Sequence, residues 1–233
     1  MLGVHYTARI PALRARHVFI AETIDATLGL RGKRVCDIGT GEGQFLEIVR
    51  QPEYGALAFG TEASPAHCAA LARAGIPCFC GTAEDFLESG QLEGYRADVV
   101  TLIWTLESST SCRTLLAAAR RILETGGHLV VATGSRILVP FKKPLHLYLE
   151  ARPLDIQPLR FSANTLRAML AVNGFESVAT NRFVDHDVLC VIARKREPGA
   201  SIPWEGDDPA AVADFFARWH RETTFYPSVS RER

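Results

Sequence analysis

The sequence predicts an α/β fold built on a doubly wound, mostly parallel sheet with helices on both faces. Short apolar runs of strand length alternate with segments of helical periodicity along most of the 233 residues. A glycine-rich turn follows the first of these runs, at the position where such sheets bind ligands beyond their strand ends. These two observations predict one large α/β domain with appendages.

Strand and helix predictions alternate from residue 34 to residue 133. In chain order they are the strand RVCDI, the helix GQFLEIVRQ, the strand ALAFGTE, the helix PAHCAALARAG, the strands IPCFC and ADVVTLI, the helix SCRTLLAAARRILETGG and the strand HLVVAT. This alternation is typical of strand-helix-strand units, whose strands are parallel.

A long connector follows the strand HLVVAT. Residues 136–160 contain prolines and lysines, and they are too many and too apolar for a simple loop. We expect part of this connector to fold over the ligand site and to cover a substrate there.

The C-terminal part of the chain predicts a helix, a hairpin and a second helix. Ser162 is a suitable N-cap for the helix ANTLRAMLAVNG, which Asn173-Gly174 would end. The strand-like runs FESVATNRF and VLCVIARK are close enough to pair as an antiparallel hairpin at one sheet edge. Residues 1–30 would then be an N-terminal helical segment, 31–196 the main domain, and 197–233 a linker with an amphipathic helix.

That last helix carries an apolar stripe and a start signal. Asp208-Pro209 is suited to begin it. The stripe consists of Val212, Phe215, Phe216 and Trp219. Such a stripe has to bury itself on the domain or on a partner, so a homodimer through this helix or the N-terminal segment is one option.

Composition argues against nucleic acid, a membrane span and a disulfide framework. The 26 basic and 26 acidic side chains cancel, so no overall field would hold a polyanion. No segment approaches the roughly 18 apolar residues of a membrane span, and charges interrupt the N-terminus, so we expect a soluble cytoplasmic protein. The six scattered cysteines suit reduced thiols, and Cys78 and Cys80, the only close pair, are too few for a metal site.

The glycine loop predicts a cationic ligand that carries a ribose. Its spacing is G-x-G-x-G, whereas a dinucleotide fingerprint is G-x-G-x-x-G, and Gln44 stands where the third glycine would be. Asp37 precedes the glycines and would repel a diphosphate bound there. Glu62 ends the second strand about twenty residues further on, where an acid can accept both ribose hydroxyls. Ribose without diphosphate, next to an ammonium or sulfonium group, describes S-adenosylmethionine.

Four motifs in order resemble those of a known family. VCDIGTGEG, GTEASP, GTAEDF and ADVVTLIWTLESS are similar to successive motifs of the seven-stranded, class I S-adenosylmethionine-dependent methyltransferases, over roughly Lys33 to Lys195. The resemblance implies a Rossmann-like sheet of seven strands, methyl transfer as the activity and S-adenosylhomocysteine as the product. The residues that it places at the cofactor are Asp37, Gly39, Thr40 and Gly41 at the amino-acid end, Glu62 at the ribose, Ala63, Thr82, Ala83 and Glu84 at the adenine, and Ile103 and Trp104 beside the methyl group.

Two positions depart from the pattern of that family. Thr82 stands where many relatives carry an aspartate that binds the adenine amino group, and Glu84 or Asp85 could replace it. A helix N-terminus that favours acids explains Glu84 and Asp85 equally well. Ser108 replaces the histidine of a Leu-Glu-His sequence. Trp104 is equally well explained as a core residue.

A general base is needed only if the methyl acceptor must lose a proton. The candidates are His146 in the connector, Glu107 after the fourth strand and His186, in that order. Each also has a structural explanation: packing for His146, helix capping for Glu107 and a solvated turn for Asp185-His186-Asp187.

The acceptor itself is predicted to be a small metabolite. Arg136, Lys142 and Lys143 form a local positive group suited to a phosphate or carboxylate, or simply a solvated surface. The segment PLRFSANTLRAMLAVNGFE resembles the corresponding region of metabolite methyltransferases, and a nucleotide-linked or cell-envelope sugar is one option. The alternatives are a non-catalytic module that keeps the cofactor pocket and a nicotinamide-dependent oxidoreductase.

Overall fold

One seven-stranded sheet forms the centre of the protein. The computed structural model describes residues 11–91, 95–134, 144–146, 159–181 and 188–225. The strands are β1 (Arg34–Ile38), β2 (Leu57–Glu62), β3 (Cys78–Cys80), β4 (Ala97–Ile103), β5 (Leu123–Gly134), β6 (Phe175–Thr180) and β7 (Val188–Lys195). The helices are α1 (Pro11–Leu28), α2 (Gln44–Val49), α3 (Pro65–Arg73), α4 (Ala83–Glu88), α5 (Cys112–Ile122), α6 (Ala163–Val172) and α7 (Pro209–Thr223), with a short 3₁₀ helix at Leu106–Ser108.

The strand order is β3-β2-β1-β4-β5-β7-β6, and β7 alone runs antiparallel to its neighbours. This order confirms the predicted doubly wound sheet and the predicted pairing of β6 with β7 at one edge. The direction of winding reverses between β1 and β4. A crevice therefore opens at the carboxyl ends of these two central strands, which is where open α/β sheets bind their ligands.

Two apolar cores lie on opposite faces of the sheet. One contains Ile20, Leu46 and Leu71, which come from α1, α2 and α3. The other contains Phe86, Leu116 and Leu166, which come from α4, α5 and α6. Helices therefore cover both faces of the sheet, as the alternating pattern predicts.

The predicted helix before β5 is wrong in its last residues. The helix α5 ends at Ile122, and Leu123 already pairs with Ala97 of β4. The backbone of Leu123 is extended, with ψ of 137°, and Gly126 has φ of +72°, a conformation that no helix contains. The helical periodicity of the sequence continues beyond Ile122, but from Leu123 onward the backbone pairs with β4 as a strand.

Local capping signals place the starts of α6 and α7. The Ser162 side chain accepts a hydrogen bond from the Thr165 N–H (3.0 Å), and the Asp208 carboxylate accepts one from the Ala210 N–H (3.0 Å). Trp219 of α7 is fully buried, whereas Val212 of the same predicted stripe is 37% exposed. The helix therefore buries part of its stripe within its own chain.

All six cysteines are free thiols in this structure. No helix among the described residues is both long and apolar enough to cross a membrane.

Candidate functional site

The glycine loop after β1 folds back over the end of β2. Gly39, Gly41 and Gly43 have φ of +76°, +59° and +83°, in the left-handed region that glycine adopts without steric cost. The N–H groups of Gly39 and Thr40 both donate to the Thr61 carbonyl, at 2.9 and 3.1 Å. A Cβ at Gly39 would overlap the Thr105 side chain and one at Gly43 the Leu71 side chain, whereas nothing lies within 4 Å of that position at Gly41. Gly41 is therefore the loop glycine whose backbone is open to a ligand.

The loop packs onto β2 without room for a side chain at Gly60. A Cβ atom there would lie 2.0 Å from Thr40 Oγ1 and 2.9 Å from the Asp37 carbonyl oxygen. The Thr40 hydroxyl in turn donates to that same carbonyl at 2.8 Å. The position of the loop thus depends on a glycine in the neighbouring strand.

Glu62 ties the loop to the next strand. Its carboxylate accepts one hydrogen bond from the Gly41 N–H (2.7 Å) and another from the Ser64 N–H (2.8 Å). The side chain is 11% exposed, and His67 Nδ1 lies 3.7 Å from Oε1. A carboxylate oxygen can accept two hydrogen bonds, so each oxygen of Glu62 keeps acceptor capacity for a ligand hydroxyl.

Asp37 is a buried acid at the base of the loop. The Thr101 hydroxyl donates to its Oδ1 at 2.6 Å. Burial raises the pKa of Asp37 to about 7, against the hydrogen bond from Thr101, and the nearby charge of Glu62 acts in the same direction as burial. A ligand cation at this point would stabilise the charged carboxylate.

The residues after β3 have mainly a capping arrangement. Thr82 and Asp85 form a capping box at the start of α4: the Thr82 hydroxyl accepts from the Asp85 N–H, and Asp85 Oδ2 accepts from the Thr82 N–H (2.8 Å). These bonds from Thr82 lower the pKa of Asp85. Ala83 is buried and Glu84 is half-buried. Of the two acids Glu84 and Asp85, only Asp85 takes part in the capping box.

Trp104, directly after β4, has a strained backbone. Its φ of +53° is the only positive value for a residue other than glycine within the described ranges. The Trp104 N–H donates to the Ala132 carbonyl of β5 at 2.8 Å, and this bond helps to hold the conformation. Strained residues of this kind cluster at functional sites, where the surrounding structure maintains them. The adjacent Ile103 is buried in the core.

Glu107 is a second buried acid, behind the end of β5. It is 1% exposed, and the Thr133 hydroxyl donates to its Oε1 at 2.9 Å. Its Oε2 has no hydrogen-bond partner in the part of the chain that the structure describes. Burial raises the pKa of Glu107, and the hydrogen bond from Thr133 partly offsets this. The predicted capping role is not what this carboxylate does, because its hydrogen bond goes to a strand residue.

His17 is a candidate site residue that the sequence patterns did not single out. Its Nδ1 lies 2.8 Å from Gln44 Oε1, and its ring meets the Trp104 ring edge-on with centroids 5.3 Å apart. One sequence signal could have pointed to it. Positions 17, 20, 21 and 24 have helical spacing, which places His17 on the same face of α1 as the buried Ile20 and Ile24.

The remaining candidates fall at or outside the limits of the described structure. His146 is exposed, in a described fragment of the connector. Arg136, Lys142, Lys143 and His186 lie outside the described residues, so their roles stay predictions. Ala63 directly follows Glu62 and is exposed. Within the described ranges, no group of three or more His, Cys, Asp or Glu side chains could hold a metal ion.

Comparison with protein families shows which family this chain belongs to. A family model described as a methyltransferase domain matches residues 12–180, which is most of the chain. The protein is a class I S-adenosylmethionine-dependent methyltransferase. The resemblance of the four sequence motifs is thereby confirmed, and so is S-adenosylmethionine as the cofactor. The oxidoreductase alternative has no support from this match.

Solved structures show that the fold of this methyltransferase is shared widely. Magnesium protoporphyrin IX methyltransferase from Synechocystis PCC 6803, with bound S-adenosylhomocysteine, is 16% identical with a TM-score of 0.58, over 79% of this chain and 84% of that one. The 1,6-didemethyltoxoflavin-N1-methyltransferase from Burkholderia thailandensis, with bound 1,6-didemethyltoxoflavin and S-adenosylhomocysteine, is 18% identical with a TM-score of 0.60, over 83% and 84%. A methyltransferase from Archaeoglobus fulgidus is 17% identical with a TM-score of 0.56, over 79% and 94%. Comparison with curated protein sequences finds no significant match.

Proposed function

We propose that this methyltransferase transfers the methyl group of S-adenosylmethionine to a small metabolite. The observation that carries the proposal is the pair of acids at the switch point, where buried Asp37 favours a cation and Glu62 keeps acceptor capacity beside an open glycine loop. Two of the methyltransferases with a similar fold act on small molecules by name, a magnesium porphyrin and a toxoflavin precursor. The balanced charge of the chain supports the same acceptor class over a polyanion.

Different residues of the loop and of the neighbouring strand ends are assigned to different parts of the cofactor. We assign Asp37, Gly39, Thr40 and Gly41 to its amino-acid end, where the left-handed Gly41 leaves the backbone accessible. Glu62 takes the ribose hydroxyls with its remaining acceptor capacity. The residues assigned to the adenine are Ala63, Thr82, Ala83 and Glu84, and those assigned to the methyl group are Ile103 and Trp104.

Positioning supplies most of the catalysis in this proposal. S-adenosylmethionine carries an activated methyl group on a sulfonium, so the leaving thioether needs no acid. The protein has to hold the acceptor atom in line with that methyl group, and effective molarity from such alignment is large. The strained Trp104 and the buried Glu107 lie at the ends of β4 and β5, where an aligned acceptor would meet the cofactor.

Glu107 and His146 are the side chains proposed for proton transfer. Glu107 has a raised pKa, and its Oε2 has no hydrogen-bond partner among the described residues, which suits a carboxyl group that exchanges a proton. His146 is exposed and belongs to the connector that would cover the acceptor. A phosphate or carboxylate on the acceptor would pair with Arg136, Lys142 and Lys143, which keeps a nucleotide-linked or cell-envelope sugar as one option.

The cofactor assignment is tested with Glu62→Gln. An amide offers one acceptor oxygen in place of two, so the variant loses either the Gly41 or the Ser64 bond and the charge that receives the ribose. We expect S-adenosylhomocysteine to bind about tenfold or more weakly by calorimetry. Glu53→Gln, on an exposed turn, is the matched control and should bind as the unmodified protein does. Equal affinities for the two variants would contradict the assignment.

The acceptor class is tested with S-adenosyl[methyl-³H]methionine and a cell extract separated by size. Label in the low-mass fraction is the expected result. Label in protein or RNA would overturn the small-metabolite proposal, and no label in any fraction would favour the non-catalytic module.

The proposed homodimer has a separate test. Burial of Trp219 within its own chain leaves Val212 and Phe225 as exposed apolar residues of the C-terminal segment. A chain ending at Glu197 should have a smaller assembly mass by light scattering if α7 joins two copies. Two truncated copies still associated would exclude α7 as the interface.

A further inference from the structure

The His17 imidazole spans the crevice where the sheet reverses its winding. Gln44 is the first residue of α2, directly after the glycine loop of β1, and Trp104 directly follows β4. The imidazole contacts both, by a 2.8 Å hydrogen bond to Gln44 and by an edge-on ring contact with Trp104. Since β1 and β4 are neighbours on either side of the reversal, His17 lies at the ligand crevice and not on a remote face.

Gln44 favours one tautomer of this imidazole. Its Oε1 atom lies 2.8 Å from Nδ1, and this contact is a hydrogen bond in the tautomer that carries its proton on Nδ1. In a neutral imidazole the other nitrogen, Nε2, then holds a free electron pair. Gln44 is only 7% exposed, so its amide is fixed by packing as well as by this bond. The pair has the arrangement of a base and the group that orients it.

The surroundings of His17 keep it neutral near pH 7. Burial lowers its pKa, and the charges of Arg14 and Arg16 on the same helix act in the same direction. Hydrogen bonds to Gln44 and to the Leu13 backbone raise the pKa of His17, and burial is the largest of all these effects. The groups that face the ring from the other elements, Gln44 of α2 and Trp104 after β4, carry no charge.

We propose that His17, oriented by Gln44, is the proton acceptor at the methyl-transfer centre. This inference rests on the proposed function, in which the acceptor carries an oxygen or nitrogen that loses a proton. A bond forms from that atom to the methyl carbon, the carbon–sulfur bond breaks with its electron pair going to sulfur, and the proton passes to Nε2 of His17. In this inference His17 takes the role for which Glu107 and His146 are the alternatives, and proton transfer to either of those two would contradict it.

The test uses two ligands that differ by one methyl group on sulfur and therefore by one positive charge. S-adenosylmethionine carries a sulfonium charge and S-adenosylhomocysteine a neutral thioether. A unit charge roughly 5 to 8 Å from an imidazole should lower its pKa by about 1.5 to 2.5 units at an effective dielectric constant of about 20. Long-range ¹H–¹⁵N spectra of the full-length protein, with all seven histidines labelled, report the tautomer and pKa of each ring. The His17→Asn variant assigns the His17 signal.

The expected result is an Nδ1–H tautomer for His17 and a pKa that is lower with S-adenosylmethionine than with S-adenosylhomocysteine. His128, six residues before the carboxyl end of β5 and thus about 20 Å along the strand, is the internal control and should not differ between ligands. Gln44→Leu should change the His17 tautomer signature, whereas Gln51→Leu, in the turn after α2, should not.

Two results would overturn the inference. One is that both ligands bind by calorimetry while the pKa of His17 is the same in both complexes, because the imidazole is then remote from the sulfur. The other is an Nε2–H tautomer, which leaves no free electron pair on the side away from Gln44. A ligand-dependent pKa at His146 instead would assign the role to the connector. Failure of both ligands to bind would count against the cofactor assignment and is recognisable separately.

Discussion

At the residue scale, two positions next to the glycine loop are constrained: Gly60 of β2 by lack of space and Asp37 of β1 by lack of water. Gly60 has no room for a Cβ because the loop rests on it. Asp37 is 3% exposed at the base of the same loop, and its charge has little solvent to stabilise it. Both features arise from the return of the loop over β2, and each makes a separate prediction.

Gly60→Ala should displace the glycine loop. The new methyl group would overlap Thr40 Oγ1 and crowd the backbone oxygen of Asp37, and rigid neighbours of this kind make overpacking cost about 1–3 kcal/mol. We expect a lower melting temperature and at least tenfold weaker binding of S-adenosylhomocysteine by calorimetry. Gly206→Ala is the control, because its Cβ would meet nothing closer than 3.8 Å. Unchanged affinity for Gly60→Ala would show that the loop tolerates a shift.

Asp37 should make the free energy of unfolding dependent on pH in the absence of ligand. Its pKa is about 7 in the folded chain and about 3.9 when unfolded, so the folded state binds the proton more tightly. Its contribution is therefore complete below about pH 4 and is lost as pH rises through 7. Asp37→Asn removes this loss, so relative to the unmodified protein it should gain about 2–4 kcal/mol between pH 4 and pH 8.

Urea unfolding at several pH values between 4 and 8 measures this difference. The control is Asp214→Asn, on an exposed position of α7, which should show no such gain. A difference between Asp37→Asn and the unmodified protein that stays constant with pH would mean that Asp37 is not a buried titrating group.

At the element scale, local capping signals decide where helices start, and packing decides how firmly each helix is held on the domain. Ser162 and Asp208 cap α6 and α7 through bonds to N–H groups two or three residues away. The side chain of Asp207 also accepts from the hydroxyls of Ser162 and Thr165, so the linker before α7 is attached to the start of α6. The helix α7 is thus connected to the domain by polar contacts as well as by Trp219.

Trp219→Ala should destabilise the docking of α7. The indole is fully buried, and removal of a buried aromatic side chain costs about 3–5 kcal/mol. Val212→Ala, on the same predicted stripe but 37% exposed, should cost less than about 1 kcal/mol. Hydrogen exchange over residues 209–223, together with thermal unfolding, measures both. If the two variants exchange at the same rate, α7 is not held by its indole.

At the scale of the whole molecule, ligand binding should be visible as stability. A ligand that binds only the folded chain stabilises it by about 2.7 kcal/mol at a hundredfold excess over its Kd. For a chain of 233 residues this corresponds to a rise in melting temperature of about 5–10 °C. S-adenosylhomocysteine should produce the rise in differential scanning calorimetry, and NADH at the same concentration should not. A rise with NADH alone would contradict the assigned cofactor.

The sequence by itself determined the elements, the ligand loop and the family of this protein. Strand and helix periods, the G-x-G-x-G spacing and the caps at Ser162 and Asp208 depend on residues a few positions apart, and chain geometry fixes their meaning. The exception is the helix before β5, which was predicted too long. Leu123 pairs with the distant Ala97, and the periodicity of a local segment carries no information about such a partner.

Only the tertiary structure decided how the site is assembled. The sheet order brings β1 beside β4, so that Asp37 meets Thr101. His17 and Gln44, 27 positions apart in the chain, also come within 2.8 Å of each other. The bond from Gly41 to Glu62 likewise joins segments that the sequence could only place at the same sheet edge. Such contacts depend on strand order and register, which many distant residues set together, whereas local patterns are set by neighbours alone.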